Sequence, residues 1–375
     1  MSVTVFGLNR LLGEAFRRRL VSLFAVPALL ACTATAQDVT TYHNDLARTG
    51  LNETIQTTNS TGFGSAATDP LGTIQATPIS CPSGGLGATT CYALDITCPE
   101  IPDYTAYAKV IAPSTPSQRG TIIFTTGGDG NQLYDGFYKY GATTIKDVVA
   151  AGYQAVELTF GKPFSSGPGW QHDAAGKGVR AASCRYATIV AWFYSQTQGV
   201  PLCATGNSAG GQVIGEGLAH YGLGNYLRFA EITSGPPFNR VDWACIDNVQ
   251  PEAEYCSQSD VGMGVGTRNA IDYINPAYPG SWCSSSMSDH STEYETEFQQ
   301  DSVTSPDAVL SYPNTNIRFL FGGQDTSSAI RQGLDYRSRI VQPTTYACVK
   351  DAPHSIPDAL DGAEAIASDL VAQCH

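Results

Sequence analysis

Gly206-Asn207-Ser208-Ala209-Gly210 stands between residues 200–205, a short apolar run, and residues 211–221, where Val213, Ile214, Leu218 and Tyr221 recur at helical spacing. The five letters weigh little alone, because a chain with 38 glycines supplies roughly 0.3 Gly-x-Ser-x-Gly matches by chance. Their setting weighs more. A strand, a sharp turn and a helix, in that order, lift a serine hydroxyl above the end of a sheet. The small neighbours Gly206, Ala209 and Gly210 admit a strained backbone and close packing of the helix on the strand. The helix N-terminus then faces any negative charge that develops there.

A serine hydroxyl is a weak nucleophile at neutral pH and needs a base to take its proton and an acid to orient that base. His43 lies in a polar N-terminal stretch, His172 in a Gly-rich loop, His220 within the helical run after Ser208, His290 in a Ser-rich segment, and His375 at the last position. His354 differs: it follows the apolar run 344–349 and precedes a helix-like stretch over residues 358–372, which places it on a loop leaving the last strand. Asp325 leaves the strand-like run 317–321 through Gly322-Gly323-Gln324, and it is the expected acid, with Asp351 the next carboxylate to consider. Other readings are a helix N-cap for Ser208, a cap for a helix starting near Ser327 for Asp325, and a loop histidine of no consequence for His354.

The order Ser208, Asp325, His354 resembles that of the α/β-hydrolases, among several folds that use such a trio. The resemblance implies a mostly parallel central sheet flanked by helices, and a loop that binds an oxyanion through backbone N–H groups. Residues 120–125 read as a strand that ends in Thr126-Gly127-Gly128-Asp129-Gly130, similar to that loop, so the implied donors are Gly128 and Ala209. The family's usual histidine before the glycines is replaced here by Thr126. Read without the resemblance, the glycine run is a turn.

Arg17, Arg18 and Arg19 precede an apolar stretch over residues 20–31, too short to span a bilayer comfortably, and Ala34-Thr35-Ala36 follows. This pattern predicts a signal peptide over 1–36 and a mature chain starting at Gln37 in a secreted or periplasmic protein. Leu29-Leu30-Ala31-Cys32 also resembles a lipoprotein box, whose alternative is a lipid anchor through Cys32. Removing Cys32 takes 11 cysteines to an even number suited to disulfides in an oxidising compartment. Proximity suggests pairs Cys245 with Cys256 and Cys348 with Cys374. Cys203 reads as part of a buried strand, which disfavours a cysteine nucleophile, and no cysteine pair has zinc-site spacing beside histidines.

Residues 37–75, rich in Thr, Asn and Gly, read as an extended arm or linker, and residues 42–53 are similar to a segment of bacterial extracellular β-propeller-like proteins. From 76 to 375 a single catalytic domain is expected. Its strand-like runs are 108–112, 120–125, 154–160, 200–205, 228–233, 317–321 and 344–349, and a helix covers 178–195. Residues 234–311 break the alternation and read as an inserted, disulfide-containing cap that walls the site. Trp170, Trp243 and Trp282 are candidates either for stacking on a substrate ring or for ordinary packing.

A net charge of −13 argues against binding nucleic acid or anionic membranes, and no phosphate loop, nucleotide fingerprint or further membrane span is found. The chain therefore reads as an exported serine hydrolase without cofactor or metal, with Ser208, His354 and Asp325 as its triad and a small-molecule or polymer-borne carboxylic ester as substrate. A serine peptidase of the same fold and a non-catalytic exported binding module are the alternatives.

Overall fold

The computed structural model describes residues 68–197, 199–246 and 273–375. The expected signal segment with Cys32, residues 42–53, most of the expected arm and Cys256 lie outside the described residues. Among these, nine strands form one sheet: β1 (Thr73–Ile79), β2 (Thr90–Thr97), β3 (Tyr104–Ile111), β4 (Gly120–Thr125), β5 (Tyr153–Phe160), β6 (Leu202–Asn207), β7 (Phe229–Thr233), β8 (Asn316–Gly322) and β9 (Thr345–Val349). Their spatial order is β1-β2-β3-β5-β4-β6-β7-β8-β9. The first three pairings are antiparallel and the remaining five parallel.

Every residue of β4, β6 and β7 is buried, as required when helices cover both faces of a parallel sheet, and such strands read as continuous apolar runs. β1 alternates between exposed and half-buried positions, so it leaves no such run. β2 mixes buried with half-buried and exposed positions, and these two strands escape the sequence reading while the other seven do not.

The helices are α1 (Tyr134–Phe137), α2 (Gly141–Ala150), α3 (Gly178–Gln196), α4 (Ala209–Tyr221), α5 (Val241–Ile246), α6 (Trp282–Asp289), α7 (Glu295–Gln300), α8 (Ala329–Arg339) and α9 (Leu360–Gln373). One face of the sheet packs Ile145 and Val148 of α2 with Ile366 and Leu370 of α9. The other packs Tyr186 and Ile189 of α3, Val213 and Leu218 of α4, and Ile330 and Tyr336 of α8. Helices on both faces of a sheet in which β3 runs against both its neighbours and β5 stands outside β4 make the α/β-hydrolase fold. The parallel register aligns Thr125 with Gly206, Asn207 with Thr233, Thr233 with Leu320, and Gly322 with Val349. The loops that follow β4, β6, β8 and β9 therefore open on one edge of the sheet.

The insertion between β7 and β8 carries α5, α6 and α7, and a disulfide joins Cys245 of α5 to Cys283 of α6. Trp282 lies against Tyr294, with ring centroids 4.3 Å apart, and against Tyr278 at 5.5 Å, while Trp170 is buried. Both are engaged in packing. Trp243 has the Arg240 guanidinium over its ring.

The cysteine pairing differs from the expectation. Cys245 bonds Cys283, not Cys256, and Cys374 bonds Cys203 on β6, not Cys348. Cys81 pairs with Cys91 and Cys98 with Cys184, and Cys348 is also disulfide-bonded. Proximity along the chain fails as a guide because the sheet brings β6 beside α9, at a separation of 171 residues. Among the described residues, no helix is long and apolar enough to cross a membrane.

Candidate active site

Ser208 sits between β6 and α4 with φ 56° and ψ −118°, a conformation that L-residues adopt only when the surroundings over-determine it. Here its N–H donates to the carbonyl of Thr233 at 2.8 Å, and its own carbonyl accepts the N–H of Gln212 at 2.9 Å to start the helix. A Cβ at Gly206 would stand 2.5 Å from the carbonyl carbon of Gly210, so the turn closes this tightly only with glycine there. The small residues around Ser208 thus answer a steric demand of the turn itself.

The imidazole of His354, on the loop after β9, bridges the other two expected residues. Its Nε2 lies 2.9 Å from Ser208 Oγ and its Nδ1 lies 2.9 Å from Asp325 Oδ2. Asp325 is buried, and its other oxygen accepts the N–H of Ser327 at 2.8 Å. Burial pushes its carboxyl up, but the hydrogen bond and charge of His354, then the hydroxyl and N–H of Ser327, outweigh it and hold Asp325 below the usual carboxylate range. The structure brings Ser208, His354 and Asp325 into one hydrogen-bonded line, whereas Asp351 is exposed.

Two glycines and a backbone ladder bring the acid and base loops together. The N–H of Gly323 donates to Val349 at 2.7 Å and that of Gln324 to Ala352 at 3.0 Å. A Cβ at Gly322 would stand 2.2 Å from the carbonyl oxygen of Pro353, so any larger residue there would push the loop of Asp325 off that of His354.

The loop after β4 lies against the serine: a Cβ at Gly127 would stand 3.2 Å from Ser208 Cβ. The N–H of Gly127 donates to the hydroxyl of Tyr138 at 2.8 Å. Among the described residues, no acceptor meets the N–H of Gly128, which has φ +62°, or that of Ala209 at the start of α4. Thr126 turns its hydroxyl to the carbonyl of Gln132 at 3.2 Å. The element that carries Tyr138 is anchored by a buried cluster in which Lys109 Nζ meets Asp135 at 2.6 Å and Glu157 at 2.9 Å. Burial, then the Asp135 charge, raises the Glu157 carboxyl to about 7 despite Lys109.

Three neighbours are missed by sequence reasoning. Asn207 Oδ1 accepts the N–H of Ile356 at 3.1 Å and the hydroxyl of Thr233 at 2.9 Å. Ser327 Oγ stands 3.1 Å from His354 Nδ1, and Tyr138 holds the glycine loop. Their only local signal is position: Asn207 is the variable letter before the serine, and Ser327 follows the acid by two. Of the other histidines, His220 is buried in α4 with Nε2 3.1 Å from the carbonyl of Ser302, and burial lowers it to about 4. It has no part in this line.

No family model and no curated protein matches the sequence. Among solved structures the chain is similar to Est1E from Butyrivibrio proteoclasticus, at 10% identity and TM-score 0.45 over 75% of this chain and 98% of that one. It is similar to a thermostable carboxyl esterase from Bacillus coagulans at 13% identity and TM-score 0.41, over 80% of this chain and 97% of that one. It also resembles the acylaminoacyl peptidase of Pyrococcus horikoshii at 9% identity and TM-score 0.44, with 80% of this chain and 41% of that chain covered.

Proposed function

We propose that this chain is an exported serine hydrolase that cleaves carboxylic esters through an acyl-enzyme intermediate, with Ser208 as nucleophile, His354 as base and then acid, and Asp325 as the group that orients His354. The observation that carries this reading is the unbroken line from Ser208 Oγ through both imidazole nitrogens to Asp325, 2.9 Å at each step, with the serine held on a strained turn. A strained residue tied to a base and a buried carboxylate is costly to maintain and has no packing role that a glycine would not fill better.

In the proposed reaction the Ser208 oxygen bonds to the acyl carbon while its proton moves to His354 Nε2. The carbonyl oxygen becomes the oxyanion, received by the N–H groups of Gly128 and Ala209. Asp325, kept ionised, holds Nδ1–H and stabilises the imidazolium. Collapse of the intermediate breaks the bond to the leaving alcohol, which takes the proton from Nε2. Water then repeats the sequence on the acyl-serine and frees the acid. The disulfides support export, since such bonds persist in oxidising compartments.

The test is turnover of short-chain aryl esters and labelling by a fluorophosphonate probe, with Ser208→Ala and His354→Ala beside the wild type. Both activities should vanish in Ser208→Ala. Unchanged labelling of that variant would remove Ser208 from the mechanism. Absence of reaction in folded wild type would favour a binding module, and cleavage of peptides but not esters a peptidase.

A further inference from the structure

We propose that Arg185 is a positioning residue for the oxyanion donor Gly128, acting through the loop of residues 167–173. The inference rests on the hydrolase reading above. Arg185 lies in the middle of α3, and its side chain is fully buried. Among the described residues, no carboxylate forms an ion pair with it. Nη1 donates instead to the carbonyls of Trp170, at 2.7 Å, and His172, and Nη2 to that of Asp173 at 2.9 Å. The guanidinium stacks 4.0 Å above the ring centroid of Tyr104, whose hydroxyl meets the carbonyls of Pro168 at 2.7 Å and Gly169 at 2.8 Å. Two stacked side chains thereby gather the carbonyls of one loop. Burial lowers the guanidinium only to about 10, so it remains charged at neutral pH. A buried cation without a carboxylate is expensive, and this one spends its donors on backbone geometry.

The clamped loop in turn grips the glycine turn. The N–H of Trp170 donates to the carbonyl of Asp129 at 3.2 Å, Gln171 Nε2 to Asp129 Oδ1 at 2.5 Å, and Asn131 Nδ2 to the carbonyl of Gly167 at 2.5 Å. Asp129 directly follows Gly128, inside the turn closed by the bond from the N–H of Gly130 to the carbonyl of Gly127 at 3.2 Å. On the other side Tyr138 fixes Gly127. The peptide between them bears the donor, so its direction depends on both supports. An oxyanion exists only after the nucleophile attacks, and a displaced donor is therefore felt in the transition state more than in substrate binding.

The experiment compares wild type with Arg185→Met, Arg185→Lys and Gln171→Leu on a short-chain aryl ester. A second measurement is inhibition by an aryl trifluoromethyl ketone, whose adduct with the serine carries the oxyanion. Arg185→Met and Gln171→Leu should lower kcat roughly 10–100-fold, with KM within about threefold of wild type, and weaken the ketone by the same factor as kcat/KM. Arg185→Lys, with one ammonium for three carbonyls, should fall between. Gln171→Leu leaves the buried cation in place and decides the matter if the Arg185 variants fail to fold. Wild-type kcat in Gln171→Leu, or a rise in KM with unaltered ketone affinity, overturns the proposal while the hydrolase reading stands. An inactive wild type overturns both.

Discussion

Asn207 Oδ1 accepts the backbone N–H of Ile356 at 3.1 Å, which ties the residue before the serine to the loop that carries His354, 149 positions later. One buried amide oxygen thus sets the distance between two expected partners from different strands. Asn207→Ala would strand the Ile356 N–H, an unmet buried donor worth about 1–3 kcal/mol, and would leave the Thr233 hydroxyl only the carbonyl of Gly206 at 3.2 Å. The variant should unfold at lower denaturant and show a reduced kcat with little change in KM. Wild-type kcat in a folded Asn207→Ala would deny the residue any role in aligning the pair.

Strain at Ser208 can be measured without activity. Both Ser208→Gly and Ser208→Ala should lose roughly 10⁴–10⁶-fold in kcat. Only glycine accepts φ 56° and ψ −118° freely, so Ser208→Gly should be the more stable of the two by about 1–2 kcal/mol, read by urea denaturation. Equal stabilities would mean that the turn is not strained.

Replacing Asp325 by Asn should lower kcat roughly 10³–10⁴-fold, because the amide favours the wrong imidazole tautomer. The same substitution reports on acid stability. The folded-state pKa of Asp325 is depressed, so its ionised form stabilises the fold above the unfolded-chain value of about 3.9. That contribution is lost as pH falls through the lower folded value. The stability gap between wild type and Asp325→Asn should therefore narrow as pH drops below about 3.9, and a gap independent of pH would contradict the assignment.

The bond between Cys203 on β6 and Cys374 beyond α9 closes most of the domain into one loop. Cys203→Ala with Cys374→Ala should cost roughly 2–5 kcal/mol of stability and leave KM unchanged, since the bridge lies in the core beneath α9. Denaturant titration of the double variant beside wild type, with ester kinetics, checks both statements.

The parts of this protein legible in its sequence are those set by local physics. A sharp turn needs Gly206, Ala209 and Gly210 around Ser208, buried parallel strands need unbroken apolar runs, and a loop that must touch another backbone carries Gly322 and Gly323. Each demand leaves its mark within a few residues, so the fold and the positions of Ser208, Asp325 and His354 at strand ends can be read off the chain. The half-exposed edge strand β1, the partner of Cys374, the span from Asn207 to Ile356 and the clamp of Arg185 and Tyr104 on residues 168–173 leave no such mark. Each satisfies a hydrogen bond, a sulfur or a charge with a group supplied from far along the chain, and only the packing of helices on the sheet decides which distant group arrives. Local sterics are written in neighbouring letters, whereas the pairing of buried polar groups is settled when the layers close.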